Sequence, residues 1–228
     1  MTVMVNGVAG FIGDGLTMMA NRTQARHALL VDAFRHAIAD STVLLLGAED
    51  GAWCYALAAA GGLQVVGIEK DADQVERFMR LPDVGLRERI DMRCADPFEE
   101  LRSEVDAGRQ YDVVILFDML ERITDLYELF GLLANLGPRL VIVDGLFGAS
   151  EDPIFTIERP REALVGMGRP YLLPSRGAVA MVAYDMGFDL DWIDWTTLDD
   201  DVRLGLDDYY CEGEKLRASF TLMPEQTD

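Results

Sequence analysis

The sequence predicts an α/β fold in which a mostly parallel sheet lies between two layers of helices and ends in an antiparallel pair of strands. Short apolar runs alternate with helical segments five times between residues 43 and 143. Such alternation requires crossover connections and a parallel sheet that is covered on both faces. Residues 188–196 and 216–223 instead alternate apolar and polar side chains, which is typical of antiparallel strands. The prediction is a three-layer α/β/α sandwich with seven strands.

The first four elements lie within residues 22–68. Apolar residues recur at helical spacing over residues 22–39, which predicts a helix that leads into the sheet. Val43–Leu46 and Leu63–Ile68 are short apolar runs, as expected for strands that are buried on both faces. Ala52–Ala60 between them suits a helix.

The next elements continue the alternation to residue 143, after which the pattern changes. Pro97 is well placed in the first turn of a helix. The predicted helices are Asp71–Leu81, Pro97–Val105 and Met119–Leu133, and the predicted strands are Ile90–Arg93, Asp112–Leu116 and Leu140–Val143. Residues 145–168 contain two prolines and read as irregular, residues 175–187 read as a helix, and the antiparallel pair follows.

Composition excludes several functional classes. The chain of 228 residues carries a formal net charge of −20, from 40 acidic and 20 basic side chains. Nucleic acids and acidic membranes bind through basic side chains, so neither is expected as a partner. Cys54, Cys94 and Cys211 form no Cys-x-x-Cys pair, which argues against a disulfide framework or a zinc site. No signal peptide or membrane span is visible, so we expect a soluble, cytoplasmic protein.

The bend after the first strand is the most informative feature. Gly47 and Gly51 bracket a tight loop, and Glu69 ends the second strand about 20 residues further on. A carboxylate at that position can accept hydrogen bonds from both hydroxyls of a ribose. Glu49 and Asp50 lie between the glycines, where they would repel a pyrophosphate. A nucleoside with a cationic tail fits better, which favours S-adenosylmethionine over a nicotinamide cofactor. The alternative is an ordinary strand, turn and helix with solvated acids.

The order of these motifs resembles the class I S-adenosylmethionine-dependent methyltransferases, over roughly residues 25–145 and more loosely to the end. The family's first motif, VLDLGxGxG, corresponds to VLLLGAEDG, in which Gly47 and Gly51 match while Leu45 replaces the usual acid and Glu49 the middle glycine. The resemblance implies a Rossmann-like three-layer α/β/α sandwich with a mostly parallel seven-stranded sheet and an antiparallel final hairpin. Glu49 or Asp50 would take over the role of the missing acid.

The later motifs imply further site residues. VVGIEKD resembles the ribose-binding strand end, which places Glu69 on the ribose and Lys70 beside the adenine, and MRCADPFEEL places Ala95 and Asp96 at the adenine amino group. YDVVILFDMLERITD resembles FDVVxxxxVLEHxxD, with Phe117 and Asp118 lining the methyl-transfer pocket and Arg122 at the usual histidine. The segment LPSRGAVAMVAYDMGFDLDWIDW resembles one that helps to enclose substrate. The complete predicted cofactor set is Gly47, Ala48, Glu49, Asp50, Gly51, Glu69, Lys70, Ala95, Asp96, Phe117 and Asp118.

A competing pattern, VNGVAGFIGDGL at residues 5–16, resembles the opening of extended short-chain dehydrogenases and would imply NAD. Those enzymes need a Tyr-x-x-x-Lys pair, in which the lysine lowers the pKa of the tyrosine. The lysines are Lys70 and Lys215, and Val66 and Cys211 stand four residues before them. We therefore treat this match as coincidental.

Methyl transfer from a sulfonium is an in-line displacement, so the protein must chiefly orient the reactants in a dry pocket. Asp118 and His27 are the predicted catalytic residues, although Asp118 can instead orient the donor and His27 can be a surface imidazole. Arg122, Tyr171 and Arg176 are the predicted substrate residues, with local ion pairs as the alternative for both arginines. No carboxylate cluster has metal-ligand spacing, so no metal is predicted.

The predicted function is transfer of a methyl group from S-adenosylmethionine to an oxygen or nitrogen of a small-molecule metabolite, an EC 2.1.1 type reaction. The alternatives are a non-catalytic S-adenosylmethionine-binding or regulatory protein and, less favoured, an NAD(P)-dependent reductase. We expect a single domain over residues 1–228, with a lid-like segment (1–40), a cofactor-binding core (41–145) and a substrate side with the closing strands (146–228). A homodimer is left open.

Overall fold

The computed structural model of this chain describes residues 20–82, 85–158, 171–203, 206, 209 and 215–225, with the backbone alone for Tyr171 and Lys215. The predictions for residues 1–19 and for Cys211 lie outside these residues. Seven of the described strands form one sheet in the order β3-β2-β1-β4-β5-β9-β8. Their bounds are β1 Thr42–Leu46, β2 Gln64–Glu69, β3 Ile90–Cys94, β4 Val113–Phe117, β5 Leu140–Gly148, β8 Phe188–Trp192 and β9 Lys215–Pro224.

The strand directions confirm the predicted fold class. Strands β1 to β5 are mutually parallel, whereas β9 is antiparallel to both β5 and β8. Because β9 lies between β5 and β8, the closing pair extends the parallel sheet at its β5 edge. The predicted strands and the observed strands share most of their residues.

The helices flank this sheet. Residues 20–27 form α1, which continues as a π-helical turn over Ala28–Asp32. The other helices are α2 Arg35–Ile38, α3 Ala52–Ala59, α4 Ala72–Phe78, α5 Pro97–Asp106, α6 Leu126–Leu136 and α7 Arg176–Asp185, and short 3-10 turns cover Arg87–Arg89, Leu120–Arg122 and Trp195–Thr197.

The hydrophobic core is divided between the two faces of the sheet. Val43 and Leu45 of β1 pack among residues of α1, α2 and α3, whereas Leu44 and Leu46 pack on the opposite face among residues of α5, α6 and α7. All four side chains are buried. Since successive strand residues point to opposite faces, an uninterrupted apolar run is what a sheet covered on both sides requires.

The predicted helix over residues 22–39 is interrupted. The chain forms the π-helical turn at Ala28–Asp32 and leaves helical geometry at Phe34, which has φ −108° and ψ 13°. Leu29, Leu30 and Val31 are consecutive and all buried. A regular 3.6-residue stripe would direct one of three successive residues away from the core, and the wider turn accommodates all three.

The predicted helix Met119–Leu133 begins seven residues too early. Asp118 has a left-handed φ of +52°, so the chain turns sharply after β4 and makes only the short turn at Leu120–Arg122. Asp125 then caps α6 by accepting a hydrogen bond from the Glu128 backbone N–H at 2.9 Å, and this N-cap sets the start of the helix.

Residues 145–158 are more regular than predicted. β5 continues to Gly148 because β9 supplies backbone partners from Val141 to Gly148. β6 (Phe155–Glu158) lies within the segment predicted to be irregular and pairs antiparallel with β7 (Tyr171–Pro174). At the other closing strand, β8 ends at Trp192 because a turn capped by Asp194 follows it.

Gly67, in the middle of β2, provides a test of the packing around the sheet. A Cβ at this position would lie 2.5 Å from Cys54 Sγ and 3.0 Å from Met92 Sδ. We expect Gly67→Ala to lower the free energy of unfolding by about 1–3 kcal/mol through overpacking, measured by urea denaturation.

Gly131→Ala is the matched control. Gly131 lies within α6, and a Cβ there would meet nothing within 4 Å. Replacing this helical glycine should raise the free energy of unfolding by about 0.5–1 kcal/mol. Equal destabilisation by the two substitutions would contradict the packing described around Gly67.

Candidate functional site

The bend after β1 is tightly determined by its neighbours. The Gly47 and Ala48 backbone N–H groups donate to the Ile68 carbonyl at 3.0 and 3.1 Å. Gly47 has φ +78°, and a Cβ there would lie 2.5 Å from the Phe117 carbonyl oxygen. Gly51 has φ +80°, and its Cβ would strike the Phe78 ring. Both predicted glycines are therefore required by backbone geometry and by close packing.

Glu69 is directed at this bend. Its Oε2 accepts a hydrogen bond from the Glu49 N–H at 3.1 Å, and its Oε1 accepts one from the Asp71 N–H at 2.9 Å. An ionised carboxylate offers about four acceptor positions. Two of them are used here, which leaves capacity for the two hydroxyls of a ribose. Lys70, predicted beside the adenine, is exposed.

The end of β3 lies next to Glu69. The Ala95 N–H donates to the Glu69 carbonyl at 3.0 Å. Asp96 is the N-cap of α5, where its Oδ1 accepts from the Phe98 and Glu99 N–H groups. Asp96 therefore has a structural role through Oδ1. Its contact with an adenine amino group stays a prediction, and Oδ2 is the atom that would make it.

The end of β4 lies on the other side of the glycine bend from Glu69. We call the region between them, at the carboxyl ends of the strands, the crevice. Phe117 is buried and meets the Trp53 ring edge-on at 5.0 Å between centroids. The Arg26 guanidinium of α1 lies over both rings, at 5.3 Å from Trp53 and 5.6 Å from Phe117. Asp118, in its left-handed conformation, follows directly. Strain of this kind in a non-glycine residue is concentrated at functional sites.

A buried ion network lies beneath Asp118, centred on Asp144 of β5, whose side chain is 0% exposed. Asp144 Oδ1 accepts from Arg26 at 2.6 Å and from Arg217 at 2.6 Å. Its Oδ2 accepts from the Ser219 hydroxyl at 2.7 Å and from the Tyr209 hydroxyl. Arg217 also donates to Asp118 Oδ1 at 2.5 Å.

These contacts shift the ionisation of the groups involved. Burial by itself would raise the pKa of Asp144, but Arg26, Arg217 and the hydrogen bonds from Tyr209 and Ser219 outweigh burial, so this pKa is lowered. Burial opposes the charge of Arg217 as well, yet Asp144 and Asp118 raise its pKa. Asp144 and the two arginines are therefore charged at neutral pH.

Two further carboxyl groups near Asp118 show the opposite shift. Glu121 is only 7% exposed, and burial raises its pKa, with a further contribution from the charge of Asp118. A hydrogen bond from its own backbone N–H and the charges of Arg122 and Arg217 lower this pKa but do not offset the effect of burial. Glu49, in the bend, has a raised pKa as well, through partial desolvation and then through Asp118. In both groups loss of solvation is the largest cause of the shift, and the charge of Asp118 adds to it.

The remaining predicted residues are more peripheral. His27 Nδ1 lies 2.9 Å from Asp32 Oδ2, and both side chains are accessible. Arg122 is exposed. Arg176 begins α7, where its guanidinium lies 4.4 Å from the Trp192 ring centroid and 3.5 Å from Glu151 Oε1. The side chain of Tyr171 is not among those described. The positions of these residues do not test the roles predicted for them, so those roles stay predictions.

The sequence reasoning missed five residues of this region, namely Arg26, Glu121, Asp144, Tyr209 and Arg217. Asp144 carried a signal, because it is an acid at the end of an apolar run, VIVD. Arg26 and Arg217 are 191 positions apart in the sequence, and no local pattern connects them. Only the pairing of β5 with β9 brings Arg217 to Asp144.

Among the described residues, no group of three or more His, Cys, Asp or Glu side chains is arranged to hold a metal ion. Cys54 and Cys94 are free thiols. A cavity of about 510 Å³ lies at the other end of the strands, where Leu140 begins β5. It is remote from the carboxyl ends of the strands, where ligands of open α/β sheets bind.

The arrangement of strands has many counterparts among solved structures. The N-terminal domain of EvdMO1, crystallised with S-adenosylhomocysteine and D-fucose, is similar with a TM-score of 0.66 at 18% identity, over 89% of this chain and 83% of that one. The chain has the fold of the class I methyltransferases. A protein from Listeria monocytogenes that is assigned as an S-adenosylmethionine-dependent methyltransferase is similar with a TM-score of 0.65 at 13% identity, over 90% of this chain and 100% of that one.

A third similar structure is magnesium protoporphyrin IX methyltransferase from Synechocystis with bound S-adenosylmethionine, with a TM-score of 0.55 at 16% identity, over 92% of this chain and 80% of that one. No protein-family model and no curated protein sequence matches the chain. Within the methyltransferase fold, the bend, Glu69 and Asp118 lie at the carboxyl ends of adjacent strands. None of the helices that the structure describes is both long and apolar enough to span a bilayer.

Asp144→Asn tests the buried network. Removing this charge leaves two guanidiniums without their common partner, and we expect a loss of about 3–5 kcal/mol in the free energy of unfolding at neutral pH. Because the folded-state pKa of Asp144 is lowered, its contribution is present above the unfolded pKa of about 3.9 and is lost as the pH falls further.

Denaturation curves recorded between neutral and acidic pH provide the measurement. The wild-type protein should lose stability on acidification more steeply than Asp144→Asn does. Asp189→Asn, at an exposed position of β8, removes the same charge and should leave the stability nearly unchanged. A small effect of Asp144→Asn, comparable with that of Asp189→Asn, would contradict the role of this network.

Proposed function

We propose that the protein is an S-adenosylmethionine-dependent methyltransferase that modifies an oxygen or nitrogen of a small molecule. The observation that carries the proposal is the position of the Glu69 carboxylate. It faces the glycine bend at the carboxyl end of β2 and retains acceptor capacity for a ribose. In open parallel sheets, nucleosides bind at the carboxyl ends of the strands. The fold of the chain agrees with that assignment.

The bend itself fits the proposed cofactor. Gly47 lets the bend pack directly against β4, since a side chain there would collide with the Phe117 carbonyl. Asp50 Oδ1 accepts from the Ala52 N–H at 3.1 Å, so the N-terminus of α3 already has a carboxylate partner. A diphosphate needs such N–H groups and is repelled by the acids around them. A ligand with an ammonium and a sulfonium group is attracted.

The chain's own residues would bind, orient and shield the reactants. S-adenosylmethionine supplies an activated methyl group on a positively charged sulphur. Glu69 would hold the ribose, and Glu49 or Asp50 would face the ammonium group in place of the acid absent at Leu45. Phe117 and Trp53 would exclude water from the crevice. Asp118, which is 25% exposed, would orient the reacting groups beside them.

The segments outside the central core have proposed roles in the same reaction. Residues 1–40 would cover the crevice, because α1 already carries Arg26 over Trp53 and Phe117. Residues 146–228 would enclose the acceptor, with Arg176 and Tyr171 on that side and Arg122 at the end of β4. His27 and Asp118 stay the proposed catalytic residues, and the acceptor would be a metabolite in the cytoplasm.

The proposed function is tested first by titration calorimetry with S-adenosylmethionine and S-adenosylhomocysteine. Saturable binding of both ligands is expected, whereas NADH should not bind in a fluorescence titration. Failure to bind either adenosyl ligand at about millimolar concentration, an affinity of roughly −4 kcal/mol, would exclude the proposal, and binding of NADH would then support the reductase. Turnover is then measured with radiolabelled donor against small hydroxyl and amine acceptors.

Glu69→Ala tests the ribose assignment. Each hydrogen bond from a hydroxyl to this carboxylate is worth roughly 1.5–3 kcal/mol, so the affinity for S-adenosylmethionine and S-adenosylhomocysteine should fall at least tenfold for both. Glu76→Gln, on the exposed face of α4 where Glu76 pairs with Arg80, is the charge-matched control and should bind normally. An unchanged affinity of Glu69→Ala would refute the assignment.

A second candidate function is a non-catalytic S-adenosylmethionine-binding or regulatory protein. The favouring observation is Leu45, which stands where the family usually has an acid and is fully buried in the sheet. Under this alternative the chain would bind both adenosyl ligands but transfer no methyl group to any acceptor. Methylation of even one small molecule by the purified protein would eliminate it.

A further inference from the structure

Asp118 lies at the glycine bend in an unusual backbone conformation. A Cβ on Gly47 would lie 2.5 Å from the Phe117 carbonyl oxygen and 3.3 Å from Met119 Sδ, so the residues on both sides of Asp118 abut the bend. Asp118 has a φ of +52°, and its N–H donates to the Asp144 carbonyl at 2.9 Å. The backbone alone does not fix the direction of the carboxylate, because two side-chain torsions remain.

Arg217 of β9 provides the missing constraint. Its Nη2 donates to Asp118 Oδ1 at 2.5 Å, and its Nη1 donates to Asp144 Oδ1 at 2.6 Å. Because a guanidinium is planar and rigid, its two donors have a fixed spacing and direction. One rigid group therefore ties the carboxylate of Asp118 to a second carboxylate whose side chain is fully buried.

Arg217 is itself held in place from several sides. It is 7% exposed and lies on a strand that is paired along β5. Its partner Asp144 also accepts from Arg26 at 2.6 Å and from Ser219 at 2.7 Å. Moving Arg217 would break a buried ion pair, which is costly. A side chain fixed in this way can orient Asp118, whereas an exposed arginine would follow the movements of its partner.

The two oxygens of Asp118 have different surroundings. Oδ1 is engaged by the buried guanidinium of Arg217. Oδ2 lies 3.7 Å from the Arg26 guanidinium, which is beyond hydrogen-bonding distance. The side chain of Asp118 is 25% exposed. The carboxylate is therefore anchored through Oδ1, and Oδ2 keeps its capacity to accept a hydrogen bond from a ligand.

We propose that Arg217 is a positioning residue, which holds Asp118 Oδ1 and so directs Oδ2 at a hydrogen-bond donor of the adenosyl ligand in the crevice. This inference rests on the proposed function. S-adenosylmethionine and S-adenosylhomocysteine both carry ribose hydroxyls and an ammonium group, and the contact is to one of these shared donors. Arg217 acts through Asp118 alone. Its contribution is preorganisation, because the acceptor is in place before the ligand binds.

Two substitutions at Asp118 test the orientation by calorimetric titration of both ligands. Asparagine and glycine both tolerate the left-handed conformation. Because Arg217 requires an acceptor at the Oδ1 position, the amide of Asp118→Asn should turn its oxygen to Arg217 and its NH₂ group to the ligand. We expect Asp118→Asn to bind both ligands about tenfold more weakly than the wild-type protein, and no better than Asp118→Gly.

Arg217→Lys tests whether Arg217 acts through Asp118. Lysine keeps the charge but offers a single nitrogen in place of the planar fork, so the affinity for both ligands should fall about tenfold. In the Asp118→Gly background no carboxylate is left to orient, and the same substitution should change the affinity less than about twofold. A purely structural effect of Arg217 would be equal in the two backgrounds.

Ser219→Ala is the matched control. It removes one donor to Asp144 on the same strand, and so perturbs the buried network without altering the contact between Arg217 and Asp118. It should lower the free energy of unfolding and leave both affinities unchanged. Thermal unfolding reports whether each variant is folded, and the comparison of Asp118→Asn with Asp118→Gly needs no change at Arg217.

The outcomes separate the inference from the function on which it rests. The inference alone is overturned when Asp118→Asn binds as well as the wild-type protein or clearly better than Asp118→Gly. It is also overturned when Arg217→Lys has no effect, has equal effects in the two backgrounds, or weakens binding no more than Ser219→Ala does. Failure of the wild-type protein to bind either ligand would overturn the proposed function itself.

Discussion

The carboxyl side of this sheet depends on the charge of one buried residue, Asp144. Its two oxygens join α1 through Arg26 and β9 through Arg217, and Arg217 connects the network to Asp118 at the end of β4. Isolated buried charges are costly, but a carboxylate with two guanidiniums and two hydroxyl donors is compensated. The arrangement couples α1, the closing strand β9 and Asp118, so none of the three is positioned independently.

The same network explains why the crevice remains negative. Arg26 and Arg217 are both directed at Asp144, with Asp118 as a shared partner, and they are therefore only partly available to the acids around them. Burial first, and then the charge of Asp118, raises the pKa values of Glu49 and Glu121, and the arginines only partly offset these effects. A site with this electrostatic character is suited to a cationic ligand and opposes a diphosphate. The acid-rich bend thus belongs to a larger electrostatic unit that reaches from β1 to β5.

Much of the fold could be predicted because its signals are local. Apolar runs of four or five residues predict strands that are covered on both faces. Gly47 and Gly51 predict the bend, and Glu69 predicts the strand end that lies beside it. The wrong prediction of a helix starting at Met119 has local causes as well. Asp118 adopts a left-handed conformation, and Asp125 then caps the next helix. Both features override the helical periodicity that begins at Met119.

The sequence by itself determined the order of strands and helices, the glycine bend and the acidic character of the site, because each follows from residues close together along the chain. Only the tertiary structure decided that Arg26 and Arg217 share Asp144 and that Glu121 Oε2 is buried with no hydrogen-bond partner among the described residues. The physical reason is that ion pairing and desolvation depend on distances in space. The antiparallel insertion of β9 beside β5 sets those distances between residues far apart in the chain.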